Sequence, residues 1–135
     1  SKNDFIITDF EGEPARTLEE RRRKHTPLRD VAGMLRSFSY AAAGALAKAA
    51  ESPDDLNKLG PLAADWETQA RTAFLTAYDE AARAARIYAK REDMETLLAF
   101  FELEKALYEL RYELNNRPDW VRTPLAGIVR LLPEG

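Results

Sequence analysis

The stretch FIITDFEGEP, residues 5–14, has the residue types for phosphoryl-transfer chemistry, because Asp9 follows a short apolar run. The run predicts a strand, and Gly12 and Pro14 predict a turn after it. A carboxylate in such a turn is an oxygen ligand of the kind that Mg²⁺ prefers beside nucleotide phosphates. An aspartate at the end of a strand is also a common turn former, so the motif alone leaves both interpretations open.

A second group of chemically capable side chains lies on a helix predicted over residues 94–116. At ~100° per residue, Lys105, Tyr108 and Tyr112 share one stripe with Phe101. A phenol offers an apolar ring and a hydroxyl, and a lysine adds a charged donor, which suits the alternating C–H and hydroxyl patches of a sugar. The alternative is that the tyrosines pack at the edge of the core while the lysine extends into solvent. Spacing does not decide between the two.

Two further faces separate on the same helix. The leucine face is predicted to contact the core, and it consists of Leu103, Leu107, Leu110 and Leu114. The glutamate face is predicted to contact water, and it consists of Glu102, Glu109 and Glu113.

Periodic apolar residues predict three more helices, over residues 26–50, 62–91 and 123–132. Thr26 and Pro27 suit the cap and first position of the first of these, and Gly33 and Gly44 inside it predict close packing by a neighbouring element. Residues 16–25, where charges concentrate, are expected to be an exposed loop or a short amphipathic turn. Residues 52–61 are expected to be a loop, because helix breakers concentrate there. The helix over residues 94–116 is expected to end before Pro118.

The chain is therefore predicted to be mainly α, with one short N-terminal strand and about four helices. Its 135 residues suit a single domain. A lone strand leaves backbone groups unpaired, which indicates a partial domain with a metal-loop segment over residues 1–25 and a helical subdomain over residues 26–135. The unpaired strand also predicts self-association of the chain through that strand.

Composition excludes several classes of function. A formal net charge of -3 makes a nucleic-acid partner unexpected, and the absence of cysteine removes disulfides and thiolate sites. The longest apolar run, residues 41–47, is too short for a membrane span, so a cytoplasmic protein without a membrane partner is expected. His25, the only histidine, lies in a basic segment where an exposed structural role is expected. Neither G-x-x-x-x-G-K-[ST] nor G-x-G-x-x-G occurs.

Three motifs carry a resemblance to a known family: DFEGEP at residues 9–14, PLRDVAGMLRSF at residues 27–38 and ELRYELNNRPDW at residues 109–120. With them the chain closely resembles the C-terminal lobe of bacterial maltokinases, which also occur fused to trehalose synthase. The resemblance covers nearly the whole chain and is weakest in the alanine-rich second helix. It implies the helical C-terminal lobe of a protein-kinase-like α+β fold, similar to aminoglycoside and choline kinases.

The resemblance implies transfer of the ATP γ-phosphoryl group to maltose, giving maltose 1-phosphate for α-glucan synthesis. It implies that Asp9 is the Mg²⁺ ligand and also approaches the sugar, and that Lys105, Tyr108 and Tyr112 belong to the maltose pocket. Asp30 would be a structural aspartate behind the metal loop. The remaining charged residues of that helix, Arg29 and Arg36, are expected to be salt-bridge partners rather than ligands.

Two parts of such a kinase have no counterpart in this sequence: the ATP-binding lobe and the catalytic loop that carries the base. The resemblance therefore implies a maltokinase fragment that is inactive alone and whose parent uses ATP and Mg²⁺. Whether that parent is fused to, or associated with, a trehalose synthase stays open. A related sugar kinase, such as a glucosamine kinase, and a non-catalytic helical interaction module stay open as alternatives.

Overall fold

The computed structural model describes residues 15–85 and 91–133, and it describes side chains in residues 27–85 and 94–133. In this part the elements are α1 (Ala15–Ala49), α2 (Pro53–Ala84), α3 (Arg91–Asn116), a 3₁₀ turn (Pro118–Trp120) and α4 (Arg122–Leu131). The predicted mainly α architecture is confirmed for these ranges. The predicted strand and Asp9 lie outside the described residues.

The first helix begins earlier than the sequence suggested. Residues 16–25 were expected to be an exposed loop or a short amphipathic turn, but α1 begins at Ala15 and continues through Pro27 to Ala49. An interior proline removes one backbone hydrogen bond and costs ~3 kcal/mol. The segment before it is rich in leucine, glutamate, arginine and lysine, which are strong helix formers, so the helix tolerates the proline.

The expected loop over residues 52–61 is also helical, since α2 begins at Pro53 and contains Pro61. Ser52 caps this helix, because its hydroxyl accepts a hydrogen bond from the backbone N–H of Asp55 at 3.1 Å. Pro53 stands at the start of the helix, where its missing N–H costs nothing. The segment that looked like a run of breakers is therefore a capped helix start.

The core lies between α1 and α3. It is formed by Leu28, Val31, Ala32 and Leu35 of α1 with Leu98 and Phe101 of α3. Phe38 extends it towards α2 through edge-to-face contacts with Trp66 and Phe74, at centroid separations of 6.2 and 5.9 Å. Among the described helices, none has the length and apolarity that crossing a membrane requires.

The faces of α3 are the reverse of those expected. Of the glutamate face, Glu102, Glu109 and Glu113 are only 5%, 8% and 1% exposed. On the leucine face, Leu107 and Leu114 are 50% and 58% exposed. The prediction that leucines meet the core and glutamates meet water is therefore wrong for this helix.

The glutamates are buried because cations and a phenol from other elements meet them. Arg36 of α1 donates from Nε to Glu109 Oε1 at 2.8 Å, and Arg71 of α2 donates to both carboxylate oxygens of Glu102 at 2.9 and 3.2 Å. A buried carboxylate is tolerated when it is paired and hydrogen-bonded. These pairs confirm that Arg36 is a salt-bridge partner.

Glu113 joins α3 to both α1 and the turn after it. Arg117 donates to both of its carboxylate oxygens, at 2.9 and 2.8 Å, and the Tyr40 hydroxyl donates to Oε2 at 2.7 Å. The ring of Trp120 stacks on Tyr40 at 6.1 Å, and the guanidinium of Arg117 lies 4.7 Å from its centroid. Burial, followed by the hydrogen bond to Glu113, raises the pKa of Tyr40. The phenol therefore remains a neutral donor.

Close packing at glycine occurs at a position other than those expected. A Cβ on Gly33 would meet no atom within 4 Å, and one on Gly44 would make an ordinary contact with Trp120 at 3.9 Å. A Cβ on Gly127 of α4 would instead lie 2.8 Å from Cζ of the buried Arg36. The close approach that glycine permits thus joins α4 to the Arg36–Glu109 pair.

Candidate functional site

An open groove of about 590 Å³ lies between α1 and α3 on the side of α3 that carries the predicted stripe. Its lining residues from α1 are Arg29, Asp30 and Gly33, and those from α3 are Phe101, Glu104, Lys105 and Tyr108. Because the two helices pack through the core on one side, their polar residues converge along the groove. Two of the three predicted acceptor residues, Lys105 and Tyr108, therefore lie in one cavity.

Lys105 and Tyr108 contact each other directly. The Lys105 Nζ atom lies 5.1 Å from the centroid of the Tyr108 ring, a cation–π distance that follows from their spacing of three residues on a helix. The tyrosine is 63% exposed, so most of its ring is open to a ligand. The pair thus combines an accessible aromatic surface with a held ammonium group.

Charged side chains of α1 and α3 also meet across the groove. Arg29 Nη2 lies 4.0 Å from Glu104 Oε1, and its guanidinium lies 5.0 Å from the centroid of the Phe101 ring. The ion pair agrees with the expectation that Arg29 is a salt-bridge partner, although both side chains are more than half exposed, so it adds little stability. Asp30, expected behind the metal loop, is exposed and lines the groove.

Tyr112 stands one turn beyond Tyr108 and does not line this groove. It is 48% exposed, and its backbone carbonyl accepts a hydrogen bond from the Asn116 side chain at 2.9 Å. The structure thus brings Lys105 and Tyr108 together and leaves Tyr112 on the adjoining surface. Phe101, the fourth member of the predicted stripe, is 4% exposed and belongs to the core.

The groove contains residues that the sequence-based site did not include. Arg29, Asp30 and Gly33 come from α1, and their spacing of one and four residues places them on one side of that helix. Gly33 faces open space, so its missing side chain leaves room in the groove. That spacing was visible in PLRDVAGMLRSF, but nothing in one sequence says which α3 side chains it faces.

The predicted metal site has no counterpart in the described part of the chain. In residues 27–85 and 94–133, no three carboxylate or histidine side chains cluster closely enough to hold a metal ion. Asp9, assigned to Mg²⁺ from the resemblance, lies outside that part, so its role stays a prediction. The side chain of His25 also lies outside it.

No protein-family model matches the chain, but it is similar to a curated protein. Over 132 residues the chain is 30% identical to a glucosamine kinase of Mycolicibacterium smegmatis (strain ATCC 700084 / mc(2)155). The alignment covers 97% of this chain and 31% of that kinase, so the chain spans about a third of the length of its relative. The chain is therefore similar to part of a sugar kinase. This is the coarser level of the predicted resemblance, and it does not distinguish maltokinases from other sugar kinases.

Proposed function

We propose that this chain is the helical, acceptor-binding part of an ATP-dependent sugar kinase. The observation that supports this most is the groove with an exposed Lys105–Tyr108 pair, in a chain that aligns over 97% of its length with a glucosamine kinase. A concave site with an aromatic surface and a few convergent polar groups is typical of small-molecule binding. In this proposal the groove binds the sugar that receives the phosphoryl group.

Each groove residue has a separate role in binding the acceptor. The Tyr108 ring packs against the C–H face of the sugar, and Lys105 donates hydrogen bonds to its hydroxyl oxygens. The carboxylates of Asp30 and Glu104 accept hydrogen bonds from sugar hydroxyls. Together these contacts fix the orientation of the ring, and orientation supplies a large part of the rate in phosphoryl transfer.

The transfer step requires groups beyond this groove. The acceptor hydroxyl oxygen attacks the γ-phosphorus of ATP, its proton passes to a base, and ADP leaves. No phosphate-cradle motif occurs in these 135 residues. We therefore assign the nucleotide site and the base to the part of a longer kinase that corresponds to the other two-thirds of the relative. Asp9 is the proposed Mg²⁺ ligand.

Maltose is the first candidate acceptor, because the motifs around Asp9, Asp30 and Tyr112 resemble those of maltokinases. Glucosamine is the second, and two observations favour it. The similar kinase is a glucosamine kinase, and Asp30 and Glu104 line the groove, where a carboxylate could pair with the ammonium group of an amino sugar. Location in the cytoplasm and fusion to a trehalose synthase are further parts of the maltokinase proposal.

Steady-state kinetics of a kinase that contains this sequence test the proposal. Tyr108→Ala and Lys105→Met should each raise KM for the sugar, or lower kcat/KM, by about 5- to 150-fold, equivalent to roughly 1 to 3 kcal/mol. Melting temperature should change little, because both side chains are exposed. Lys58→Met is the matched control, since Lys58 is an exposed lysine of α2 away from the groove.

Two results would contradict the proposal. One is unchanged sugar kinetics in both variants together with a large loss of thermal stability, which would assign the pair a structural role. The other is a protein containing this sequence that transfers no phosphoryl group to any sugar, which would favour the helical interaction module. Assays with both sugars as competing acceptors separate the two candidate substrates by their kcat/KM ratio. The 135-residue chain alone is expected to give no turnover above a blank.

A further inference from the structure

The leucine face of α3 is an apolar helix surface that the described part of the chain leaves open. Leu107 and Leu114 are half or more exposed, and Leu103 and Leu110 are half-buried. Their spacing of four, three and four residues is the spacing of a coiled-coil seam. The seam is ~17 Å long, from 1.5 Å per residue. A helix with this spacing is suited to pack against a second helix.

The charges beside the leucine face indicate which helix would fit. Glu104 directly follows Leu103, and Arg111 directly follows Leu110, so the two occupy the same flanking position of successive heptads. Both are exposed, and they have opposite signs. The edge of the seam therefore carries one negative and one positive charge, separated by seven residues.

We propose that the leucine face pairs with the same face of a second copy of this chain, with the two α3 helices antiparallel. A two-fold axis then sets Leu103 opposite Leu114 of the second copy, and Leu107 opposite its Leu110. By symmetry this gives four leucine layers. The proposal concerns association, and it shares one residue, Glu104, with the sugar groove.

The same register also pairs the charges. In an antiparallel helix pair, the flanking position that Glu104 and Arg111 occupy on one helix lies beside the same flanking position on the other helix. With the leucine layers set as above, Glu104 of one copy lies beside Arg111 of the other, and the symmetry repeats the pair. Leucine packing and charge complementarity therefore select one arrangement.

A parallel pair lacks this agreement. In a parallel pair, each of these flanking residues lies beside a residue of the other helix whose number is five lower. Glu104 would then face Ala99, and Arg111 would face Ala106, so neither charge would find a partner. The charges thus favour the antiparallel arrangement.

The contact that Glu104 already makes does not prevent the pairing. Its distance to Arg29 is 4.0 Å and both side chains are more than half exposed, so that ion pair is weak. The seam is short, so the dimer should form in a concentration-dependent way rather than permanently. Measurements must therefore cover a range of protein concentration.

Sedimentation equilibrium of the 135-residue chain, from low micromolar to near-millimolar concentration, tests the proposal. The expected mass rises towards twice that of one chain. Leu107→Glu should leave the chain monomeric throughout, because a charge would enter the seam. Leu62→Glu changes a 63% exposed leucine of α2, and this variant should dimerise like the unmutated chain. Far-UV circular dichroism shows whether each variant is folded.

Charge reversal tests the register itself, even if Leu107→Glu unfolds the chain. Glu104→Arg alone, or Arg111→Glu alone, should weaken the dimer about tenfold at low salt, because two attractive pairs become repulsive. The double variant should restore the original affinity. A chain that is monomeric at every concentration would overturn the proposal, as would a dimer that responds to none of these changes, since that dimer would use another surface or another segment.

Discussion

The glutamate face of α3 is buried and its leucine face is partly exposed, which is the reverse of what the polarity of these side chains favours. The glutamates are buried against α1, α2 and the turn after α3, whereas Leu107 and Leu114 of the leucine face are half or more exposed. Each buried carboxylate meets an arginine from elsewhere in the sequence or from the next turn of the chain. In the described part, the exposed leucines lack an equivalent apolar partner. Which face of a helix is inside thus depends on what the neighbouring helices present.

The comparison implies different sensitivities to mutation. A buried, paired charge contributes little net stability compared with an apolar pair of the same shape, but its removal leaves the partner unpaired. An exposed leucine loses little when it is truncated, because it already contacts water. Removing one partner of a buried charge pair at the glutamate face should therefore cost more stability than truncating a leucine of the leucine face.

Arg36→Met should have the largest effect, a loss of about 3 to 5 kcal/mol in the free energy of unfolding. It leaves the Glu109 carboxylate buried without its cation, and burial already raises the pKa of that carboxyl. Urea unfolding at neutral pH measures the loss. The loss should shrink in acid, because Glu109 can then take up a proton.

Two further variants complete this measurement. Arg36→Met combined with Glu109→Leu should recover much of the stability, because neither charge is then left unpaired. Leu107→Ala, on the leucine face, should cost less than about 1 kcal/mol when measured on the monomer. If Leu107→Ala lost more stability than Arg36→Met, the assignment of the glutamate face as buried and the leucine face as exposed would be wrong.

Substitutions at two glycines compare a position packed against Arg36 with an open position. Gly127→Ala should lower stability by roughly 1 to 3 kcal/mol, because the new methyl group would overlap the buried Arg36 guanidinium. Gly33→Ala should raise it by up to about 1 kcal/mol, since Gly33 is helical and faces open space. Thermal melts of the two variants side by side measure the contrast. Equal melting temperatures would mean that Arg36 moves without cost.

The glutamate face should also affect stability in acid, with opposite signs at two positions. Hydrogen bonds from Arg117 hold the pKa of Glu113 below its usual range, against the effect of burial. Its stabilising contribution is present above the unfolded pKa of ~4.3 and is lost as pH falls through the lower folded value. Burial raises the pKa of Glu109, so its contribution is present at low pH and is lost as pH rises.

Melting temperature between roughly pH 3 and pH 7, a window centred near the carboxyl pKa range, tests these signs. Glu113→Gln should flatten the decline in acid, because it removes a group that favours the higher pH. Glu109→Gln should make the decline steeper. An unchanged profile in both variants would show that neither carboxyl changes its pKa on folding.

Local patterns in the sequence predicted part of this architecture. The end of α3 before Pro118 and the end of α1 near Ala49 follow from local rules, and the Lys105–Tyr108 contact follows from helical spacing. The starts of α1 and α2 were missed because Pro27 and Pro61 were weighed as boundaries. Ser52 followed by Pro53 is a local signal for a helix start, and giving it more weight than Pro61 would have predicted the start of α2.

The faces of α3 and the second wall of the groove could not be predicted in the same way. Leucines and glutamates recur with the same period, so periodicity separates the faces without saying which one meets the core. That choice depends on Arg36 and Arg71, which lie 73 and 31 residues away from their partners. For the same reason the groove residues of α1 were not assigned to the site.

A sugar titration of the 135-residue chain, followed through its backbone amide NMR signals, tests the acceptor site most directly. Maltose or glucosamine should shift the signals of Gly33, Lys105 and Tyr108 with a dissociation constant in the millimolar range, about -4 kcal/mol at 1 mM. The shifts should vanish in Tyr108→Ala and persist in Lys58→Met. If neither sugar moved these signals, or if Tyr108→Ala responded like the parent chain, the groove between α1 and α3 would not be the acceptor site.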